Sequence, residues 1–307
     1  MANQAHGLTE PNFFVIGASK CGTSSLHHYL SQHPEIFLPA RKELHFFSND
    51  DVHKELGYKG YLAANFSDAR SFKAVGEATP GYLLYGDRVV PRMLESISEP
   101  DQLKFIAIFR EPVERTISHY LHARRLQVEE APLEEAVCTS KEGMPIDPES
   151  IYVRSSMYAD NLKPWLECFS LSSFMFLRME DLENEDVIRR VFHFLGVNEE
   201  VSLDLTHRAN VRSVPRSRTL MRFLNLDSVP KRLAKRVFPQ DFLRRIRLRV
   251  VQFNESPSDD EVMIRPELRD ALAAHFAPGI DELEHLIGLE LSAWKSTNKM
   301  TAASGRV

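Results

Sequence analysis

The sequence has few cysteines and no long apolar run, and both absences narrow the class of protein. Its 307 residues include three widely separated cysteines with no metal-type pairing: Cys21, Cys138 and Cys168. A disulfide framework is therefore not expected, and a reducing compartment fits the chain. No run of about 18 apolar residues occurs, and residues 1–12 lack the apolar core of a secretory signal. We therefore expect a cytoplasmic protein without integral membrane association.

The chain also lacks an excess of basic residues. It carries 38 Lys and Arg against 43 Asp and Glu, a formal net charge of -5. Bulk electrostatics therefore predict no binding to nucleic acid, and any basic patch must be local. Hydrophobic residues make up 43% and charged residues 26%, which is typical of a globular protein with one large domain, with or without an appended subdomain. These numbers leave the oligomeric state open.

Short apolar runs alternate along the chain with segments of helical periodicity. The predicted strands and extended segments are residues 13–16, 36–38, 72–76, 103–109 and 174–177. The predicted helices are residues 23–33, 87–97, 112–125, 155–169 and 185–195, with a loop at 126–150 and one or two final helices at 266–294. This alternation predicts an α/β, P-loop-like, three-layer fold: a central, mostly parallel sheet flanked by helices, and a helical C-terminal extension.

A glycine-bearing turn joins the first predicted strand to the first predicted helix, and it reads Gly17-Ala18-Ser19-Lys20-Cys21-Gly22-Thr23-Ser24-Ser25. An anion bound there would meet the free N–H groups and the positive dipole end of the helix. Lys20 adds a mobile cation, and Thr23, Ser24 and Ser25 add hydroxyl donors. The ordinary ATP loop has lysine directly after its second glycine, where this chain has Thr23. The alternative interpretation is an ordinary turn of small residues.

A second candidate anion site follows the most apolar predicted strand, residues 103–109. That strand ends at Arg110, and Ser118 lies in the helix that follows. Open parallel sheets bind ligands at the carboxyl ends of their strands, so Arg110 is expected to face the same crevice as Lys20. An arginine fork with a serine hydroxyl suits a phosphate monoester. The alternative is that Arg110 forms an ion pair at the helix start and that Ser118 is a surface residue.

Four motifs in order resemble those of the sulfotransferases that use 3′-phosphoadenylyl sulfate (PAPS), in the branch shared by bacterial enzymes and heparan sulfate sulfotransferase domains. Residues Ser19 to Ser25 resemble the 5′-phosphosulfate loop of that family, and Arg110 to Ser118 resemble its 3′-phosphate motif. The run Lys42-Glu43-Leu44-His45-Phe46-Phe47 is similar to the K/N-E-x-H-F-F signature. The run Glu77-Ala78-Thr79-Pro80-Gly81-Tyr82 is similar to the E-K-T-P-x-Y element.

The resemblance covers roughly residues 13–218 and implies what the site binds. Residues 13–225 are expected to form a PAPS-binding domain, residues 226–295 a helical extension on the same domain, and residues 1–12 and 296–307 flexible tails. PAPS would be the co-substrate and PAP the product, with no metal required. The implied cofactor-binding residues are Ser19, Lys20, Cys21, Gly22, Thr23, Ser24, Ser25, Arg110, Ser118, Arg212 and Arg216.

Transfer of a sulfuryl group to a hydroxyl or amine needs a base for the acceptor and a cation for the leaving PAP. Lys20 is expected to stabilise the leaving oxygen. The resemblance implies Glu43 as general base with His45 as a supporting donor, and His45 is the base if Glu43 faces away. On an extended backbone both would point to one side, and burial by Phe46 and Phe47 would raise the pKa of the carboxyl. The alternative is a solvated Glu43 and a structural His45.

Two other functions stay open at the level of sequence. A P-loop nucleotide kinase or NTPase would need lysine in place of Thr23 and a strand-ending aspartate for magnesium, and neither is seen. A catalytically silent nucleotide-binding scaffold is the other, and the presence of Lys20, Glu43 and His45 argues against it.

The acceptor is not indicated by any motif, so polysaccharide, lipid, phenolic and small natural-product acceptors all stay open. Ala78 stands where the heparan-type enzymes carry a lysine, and no N-terminal anchor is expected, which favours a bacterial-type enzyme. The basic segment 231–249 is expected to be the solvated face of an amphipathic helix, with contact to a membrane surface or an anionic acceptor as the alternative.

Overall fold

A central sheet of five parallel strands organises the chain in the computed structural model, which describes residues 8–140, 142–205, 213–215, 255–257 and 264–295. The strands are β1 (Phe13–Gly17), β2 (Ile36–Phe37), β3 (Ala74–Ala78), β4 (Lys104–Phe109) and β5 (Phe174–Arg178). Their spatial order is β2-β3-β1-β4-β5, and every neighbouring pair is parallel. The predicted α/β fold with a parallel sheet and flanking helices is therefore confirmed.

Helices connect and flank these strands. The described helices are α1 (Thr23–Leu30), α2 (Asp50–Asn65), α3 (Gly86–Ser96), α4 (Pro112–Arg125), α5 (Leu133–Val137), α6 (Ile151–Arg154), α7 (Tyr158–Leu166), α8 (Glu185–Leu195) and α9 (Pro266–Ile287). Two further strands, β6 (Ser213–Pro215) and β7 (Glu255–Pro257), form an antiparallel pair. No helix within the described ranges has the length and apolar character that crossing a membrane requires.

The core lies at the middle of the sheet because the central strands are apolar on both faces. All five residues of β1 are buried, as are all of β4 after Lys104. The ring of Phe105 lies 5.2 Å from Trp165 and 4.6 Å from Phe169. Burying one such side chain contributes about 1.5–3 kcal/mol. The strands whose ends carry the candidate site therefore pass through a buried, packed core.

Two local predictions are wrong, and one helix is shorter than predicted. Helix α7 (Tyr158–Leu166) lies within the segment predicted as a helix at 155–169, and it begins only after Met157, whose backbone is not helical. Helix α2 was not predicted at all; it is polar, and Gly57 interrupts its periodicity with φ 59°. The segment 126–150 is not only loop, since it contains α5 and a bridge between Cys138 and Ile146.

The final helix α9 lies against α4 and α7. Its buried residues recur every three or four positions: Leu268, Leu272, Phe276, Ile280 and Leu283. A single long helix and a short 3-10 turn at Ser292–Trp294 thus occupy the segment where one or two helices were predicted. The division of the chain into 13–225 and 226–295 stays a prediction.

Candidate functional site

The turn after β1 presents an open helix N-terminus. Gly22 precedes α1 with φ 85°, no side chain caps the helix, and its first turn holds no acidic residue. A Cβ at Gly22 would lie 2.6 Å from a Leu182 methyl carbon, so glycine is required there. The N–H groups and the dipole of the first turn therefore attract an anion without competition from an acidic side chain.

A buried arginine braces this turn against α4. Arg115 is 0% exposed, and its Nε donates to the Ser19 carbonyl oxygen at 2.9 Å. Its Nη1 donates to the Tyr152 carbonyl at 3.1 Å, while Nη2 is buried with no hydrogen-bond partner among the described residues. The guanidinium of Arg115 thus lies directly behind the turn that holds Lys20. Protein carbonyl oxygens accept hydrogen bonds from only some of its N–H groups.

The end of β4 meets the same turn. The Ala18 N–H donates to the Ile108 carbonyl at 2.8 Å, one residue before the strand ends. The Tyr158 hydroxyl donates to the Arg110 carbonyl at 2.9 Å and lies 3.5 Å from the Cys21 sulfur. The structure therefore places the two candidate anion-binding motifs at one edge of the sheet.

Lys20 is surrounded by cations. Burial, followed by the charges of Arg125, Arg115 and Arg110, lowers the pKa of its ammonium to about 8, and the charge of Glu43 partly opposes this shift. Its backbone is left-handed, with φ 72°. Such a concentration of positive charge next to an open helix N-terminus destabilises the empty site and favours a bound polyanion.

The Arg110 side chain has an acidic partner. Its Nη2 lies 3.3 Å from Glu114 Oε2, and Arg269 of α9 donates to the other oxygen of Glu114 at 2.7 Å. The ion pair considered as the alternative for Arg110 is thus present, and Ser118 is half-buried one turn beyond Glu114. Arg212 and Arg216, and with them the basic segment 231–249, lie outside the described residues.

The segment with Glu43 and His45 lies next to α1. The Lys42 ammonium donates to Glu43 Oε1 at 2.8 Å and to the Ser24 hydroxyl at 3.2 Å. Glu43 Oε2 lies 3.9 Å from His45 Nε2, so the two side chains share one side. The extended backbone predicted for them is wrong, because Glu43 and His45 both have left-handed backbones, with φ 61° and 57°. Each such residue costs about 1–3 kcal/mol and must be held by its surroundings.

The predicted effect on the pKa of Glu43 is also wrong. Phe46 and Phe47 are fully buried, as expected, but the Glu43 side chain is 48% exposed. Partial burial raises the pKa of this carboxyl, yet the charge and hydrogen bond of Lys42, followed by His45 and His122, outweigh it and hold the pKa below its usual range. Glu43 is therefore ionised at neutral pH and free of a proton.

Two histidines of α4 join the site and were missed. Burial, with the charges of Lys20 and Arg125, lowers the pKa of His122 to about 4, and burial with Arg115 lowers that of His119 to about 3. Both are neutral at pH 7, and His122 Nδ1 lies 3.1 Å from Arg125 Nη2. His119 follows Arg115 by four residues, and His122 follows Ser118 by four and Arg115 by seven. Such spacings indicate a shared helical face and would have indicated both histidines.

No cluster of three or more His, Cys, Asp or Glu side chains is placed to hold a metal ion within the part of the chain that the structure describes. Carboxylates are few around Lys20, and cations and hydroxyls dominate. The arrangement suits a ligand that carries phosphate or sulfate groups, with a carboxylate at one side of it.

Comparisons with known proteins agree with this chemistry. The model of the sulfotransferase domain family matches residues 10–226. Heparan sulfate glucosamine 3-O-sulfotransferase 3A1 of Mus musculus is 28% identical over 194 residues, 62% of this chain and 47% of that protein. Membrane-associated sulfotransferase kil1 of Dictyostelium discoideum is 34% identical over 113 residues, 37% of this chain and 23% of that protein. The chain spans about half the length, or less, of these two curated relatives.

A solved structure is similar over nearly the whole chain. The crystal structure of a sulfotransferase from Alicyclobacillus acidocaldarius superposes with a TM-score of 0.63 and 26% sequence identity. The match covers 94% of this chain and 100% of the other. The sheet and the flanking helices are thus those of an established architecture.

Proposed function

This chain belongs to the sulfotransferase domain family, and from that premise we propose that it transfers a sulfuryl group from PAPS to a hydroxyl or amine of an acceptor. The observation that carries the proposal is the cation-rich turn at Lys20, which adjoins the ionised carboxylate of Glu43. A donor with a 5′-phosphosulfate and a 3′-phosphate needs two anion sites, and a transfer reaction needs a proton acceptor beside one of them.

Each motif has a role in binding the donor. The residues Ser19 to Ser25 and the N-terminus of α1 hold the 5′-phosphosulfate through backbone N–H groups and hydroxyls. Arg110 and Ser118 hold the 3′-phosphate, with Glu114 orienting the guanidinium through the contact at 3.3 Å. The buried charge of Arg115 lies behind the turn and adds to its positive potential. Arg212 and Arg216 complete the nucleotide site in this proposal.

The reaction is an in-line displacement at sulfur. The acceptor oxygen or nitrogen forms a bond to sulfur while the bond from sulfur to the bridging oxygen of PAPS breaks, and that oxygen leaves on PAP with the electron pair. Lys20, in its protonated form, stabilises the charge that grows on this oxygen. The acceptor proton moves to the carboxylate of Glu43. The Nε2 of His45 lies 3.9 Å from this carboxylate and supports it by electrostatics rather than by a direct hydrogen bond.

Glu43 suits the role of base although its pKa is low. A lowered pKa keeps the carboxylate ionised over the whole neutral range, so no part of the enzyme population needs to lose a proton first. Entry of donor and acceptor excludes water from the half-exposed side chain, which raises its proton affinity at the moment of transfer. The Lys42 ammonium, at 2.8 Å, holds it in place meanwhile.

The experiment is a transfer assay with ³⁵S-labelled PAPS against a panel of acceptors. The panel contains heparan sulfate oligosaccharides, because one similar protein is named for that substrate, together with phenols, hydroxylated lipids and amines. Thermal shift with PAP, ADP and ATP tests the donor separately, since a ligand of the native state raises apparent stability. Stabilisation by PAP with transfer to one acceptor class supports the proposal. Preference for Mg-ATP, or PAP binding with no transfer to any member, contradicts it.

A further inference from the structure

A buried carboxylate lies beneath the segment that carries Glu43 and His45. Glu77, in β3, is 1% exposed and accepts hydrogen bonds from three hydroxyl groups. The donors are Tyr61 of α2, Thr79 directly after β3, and Tyr82 at 2.8 Å. A buried carboxyl group costs little free energy only when its oxygens accept hydrogen bonds. We call Glu77 and its three hydroxyl donors, Tyr61, Thr79 and Tyr82, the Glu77 cluster.

The Glu77 cluster is joined directly to the segment above it. The Tyr82 hydroxyl donates a hydrogen bond to Glu77 and accepts one from the Phe47 N–H at 3.3 Å. The ring of Tyr61 stacks on Phe46 with the centroids 4.3 Å apart. A carboxylate that polarises the tyrosine hydroxyl also strengthens its capacity as an acceptor. The aromatic end of the segment is thus fastened through two members of the cluster.

The other end of the segment is fastened to the same strand. The Glu43 N–H donates to the carbonyl of Ala78, the residue between Glu77 and Thr79, at 2.9 Å. The backbone from Glu43 to Phe47 is therefore hydrogen-bonded at both ends to residues 78–82, at Ala78 and at Tyr82. Between them lie Glu43 and His45, whose positive φ values persist only where the surroundings hold them.

We propose that the Glu77 cluster positions the Glu43 carboxylate for proton abstraction, which makes Tyr61, Thr79 and Tyr82 positioning residues of the reaction. The inference rests on the proposed function, because it takes Glu43 as the base. It also assigns a task to the run Glu77 to Tyr82, which the sequence showed only as a motif. Without the cluster, the left-handed residues would relax and the carboxylate would leave the position beside Lys42 and the donor.

The first test is hydrogen exchange on the Tyr82→Phe variant, which removes one oxygen and leaves the ring. Tyr58→Phe is the matched control, since Tyr58 lies on α2 in the same aromatic group, 6.0 Å from Tyr61, and makes no hydrogen bond to Glu77. Amide exchange in a peptide that spans residues 43–47 is expected to quicken at least tenfold in Tyr82→Phe and to stay unchanged in Tyr58→Phe. Unchanged exchange in Tyr82→Phe would overturn the proposal.

The second test is a double-mutant cycle on transfer from ³⁵S-labelled PAPS to the acceptor identified by the panel. Tyr82→Phe is expected to lower kcat about ten- to a hundredfold, with the Kd for PAP and the KM for PAPS within twofold of wild type. In the Glu43→Gln background the same change should lower kcat no further, because both act through one carboxylate. A full additional loss in that background would show a general structural effect and refute the positioning role.

The two proposals fail differently. Full transfer by Glu43→Gln would remove the base assignment, and the Glu77 cluster would then have no carboxylate to position. Inactive Glu43→Gln together with normal kcat and normal exchange in Tyr82→Phe would leave the proposed function intact and sink only the inference about the cluster.

Discussion

Binding of PAP is expected to place a proton on Lys20. In the empty site the pKa of this ammonium is about 8, because burial and the charges of three arginines disfavour its charged form. At pH 8 roughly half of the population is therefore neutral. A bound dianion opposes those charges and returns the pKa toward the ordinary value of 10.5. Binding then takes up about 0.5 proton at pH 8 and about 0.9 proton at pH 9.

The same coupling sets the pH dependence of affinity. Restoring the pKa from about 8 to 10.5 links about 3 kcal/mol of binding free energy to protonation. The sign follows from the bound state holding more protons: the contribution of Lys20 to the Kd for PAP is constant below pH 7, and above pH 8 the Kd weakens, approaching tenfold per pH unit. The neighbouring histidines do not titrate between pH 7 and 9, because the pKa values of His119 and His122 are about 3 and 4.

Isothermal titration calorimetry measures the proton directly. PAP is titrated at pH 8 and pH 9 in buffers of different ionisation enthalpy, and the slope of observed enthalpy against that quantity is the number of protons taken up. Lys20→Arg is the control, since arginine keeps the cation and does not lose its proton in this range. A slope near zero in the wild type, or an equal slope in Lys20→Arg, would refute the reasoning about Lys20.

Three further predictions concern the proposed base Glu43, the buried Arg115 behind the Lys20 turn, and the packing of Gly76 in the core. Glu43→Gln should lower kcat at least a hundredfold with the Kd for PAP within twofold. The acid limb of the wild-type kcat/KM profile, which reports the free enzyme, should lie below pH 4.5, because the pKa of Glu43 is lowered in the empty site. A kcat/KM limb between pH 5 and 7, or an active Glu43→Gln beside an inactive His45→Ala, contradicts this. Arg115→Met should weaken PAP binding at least tenfold by calorimetry, because the Ser19 carbonyl loses its donor at 2.9 Å, whereas the exposed Arg189→Met should not. Gly76→Ala should lower the free energy of unfolding by about 1–3 kcal/mol in urea titrations, because its Cβ would lie 2.2 Å from the Phe13 ring, while Gly279→Ala, with nothing within 4 Å, should be neutral or stabilising.

The sequence predicted the fold correctly where a strand is buried along its whole length. Strands such as residues 103–109 are apolar on both faces, and only a parallel sheet covered on both sides buries such runs. Helix α2 was not readable, because its polar composition and Gly57 erase the periodicity that marks a helix. Its position is set instead by Tyr61 and Leu62, which pack into a core that other segments form.

The candidate site was predictable in its parts, because each part is local. The turn at Lys20 is a strand, a glycine and a helix start, and Arg110 follows an apolar strand, so both lie at the carboxyl edge of the sheet by construction. The approach of α4 to that edge depends on packing across the sheet. Arg115 and His122 therefore entered the site only when the helix was placed.

The chemistry of the carboxylate was decided by tertiary structure alone. Two buried phenylalanines after Glu43 suggested a raised pKa, yet the rings fill the core on one side while Lys42 neutralises the carboxylate on the other. The left-handed backbones of Glu43 and His45 likewise carry no signal in a chain of ordinary residue types. The sequence by itself determined which charges are present and on which elements. Only the three-dimensional arrangement decided their distances and solvation, and a pKa depends on those two quantities.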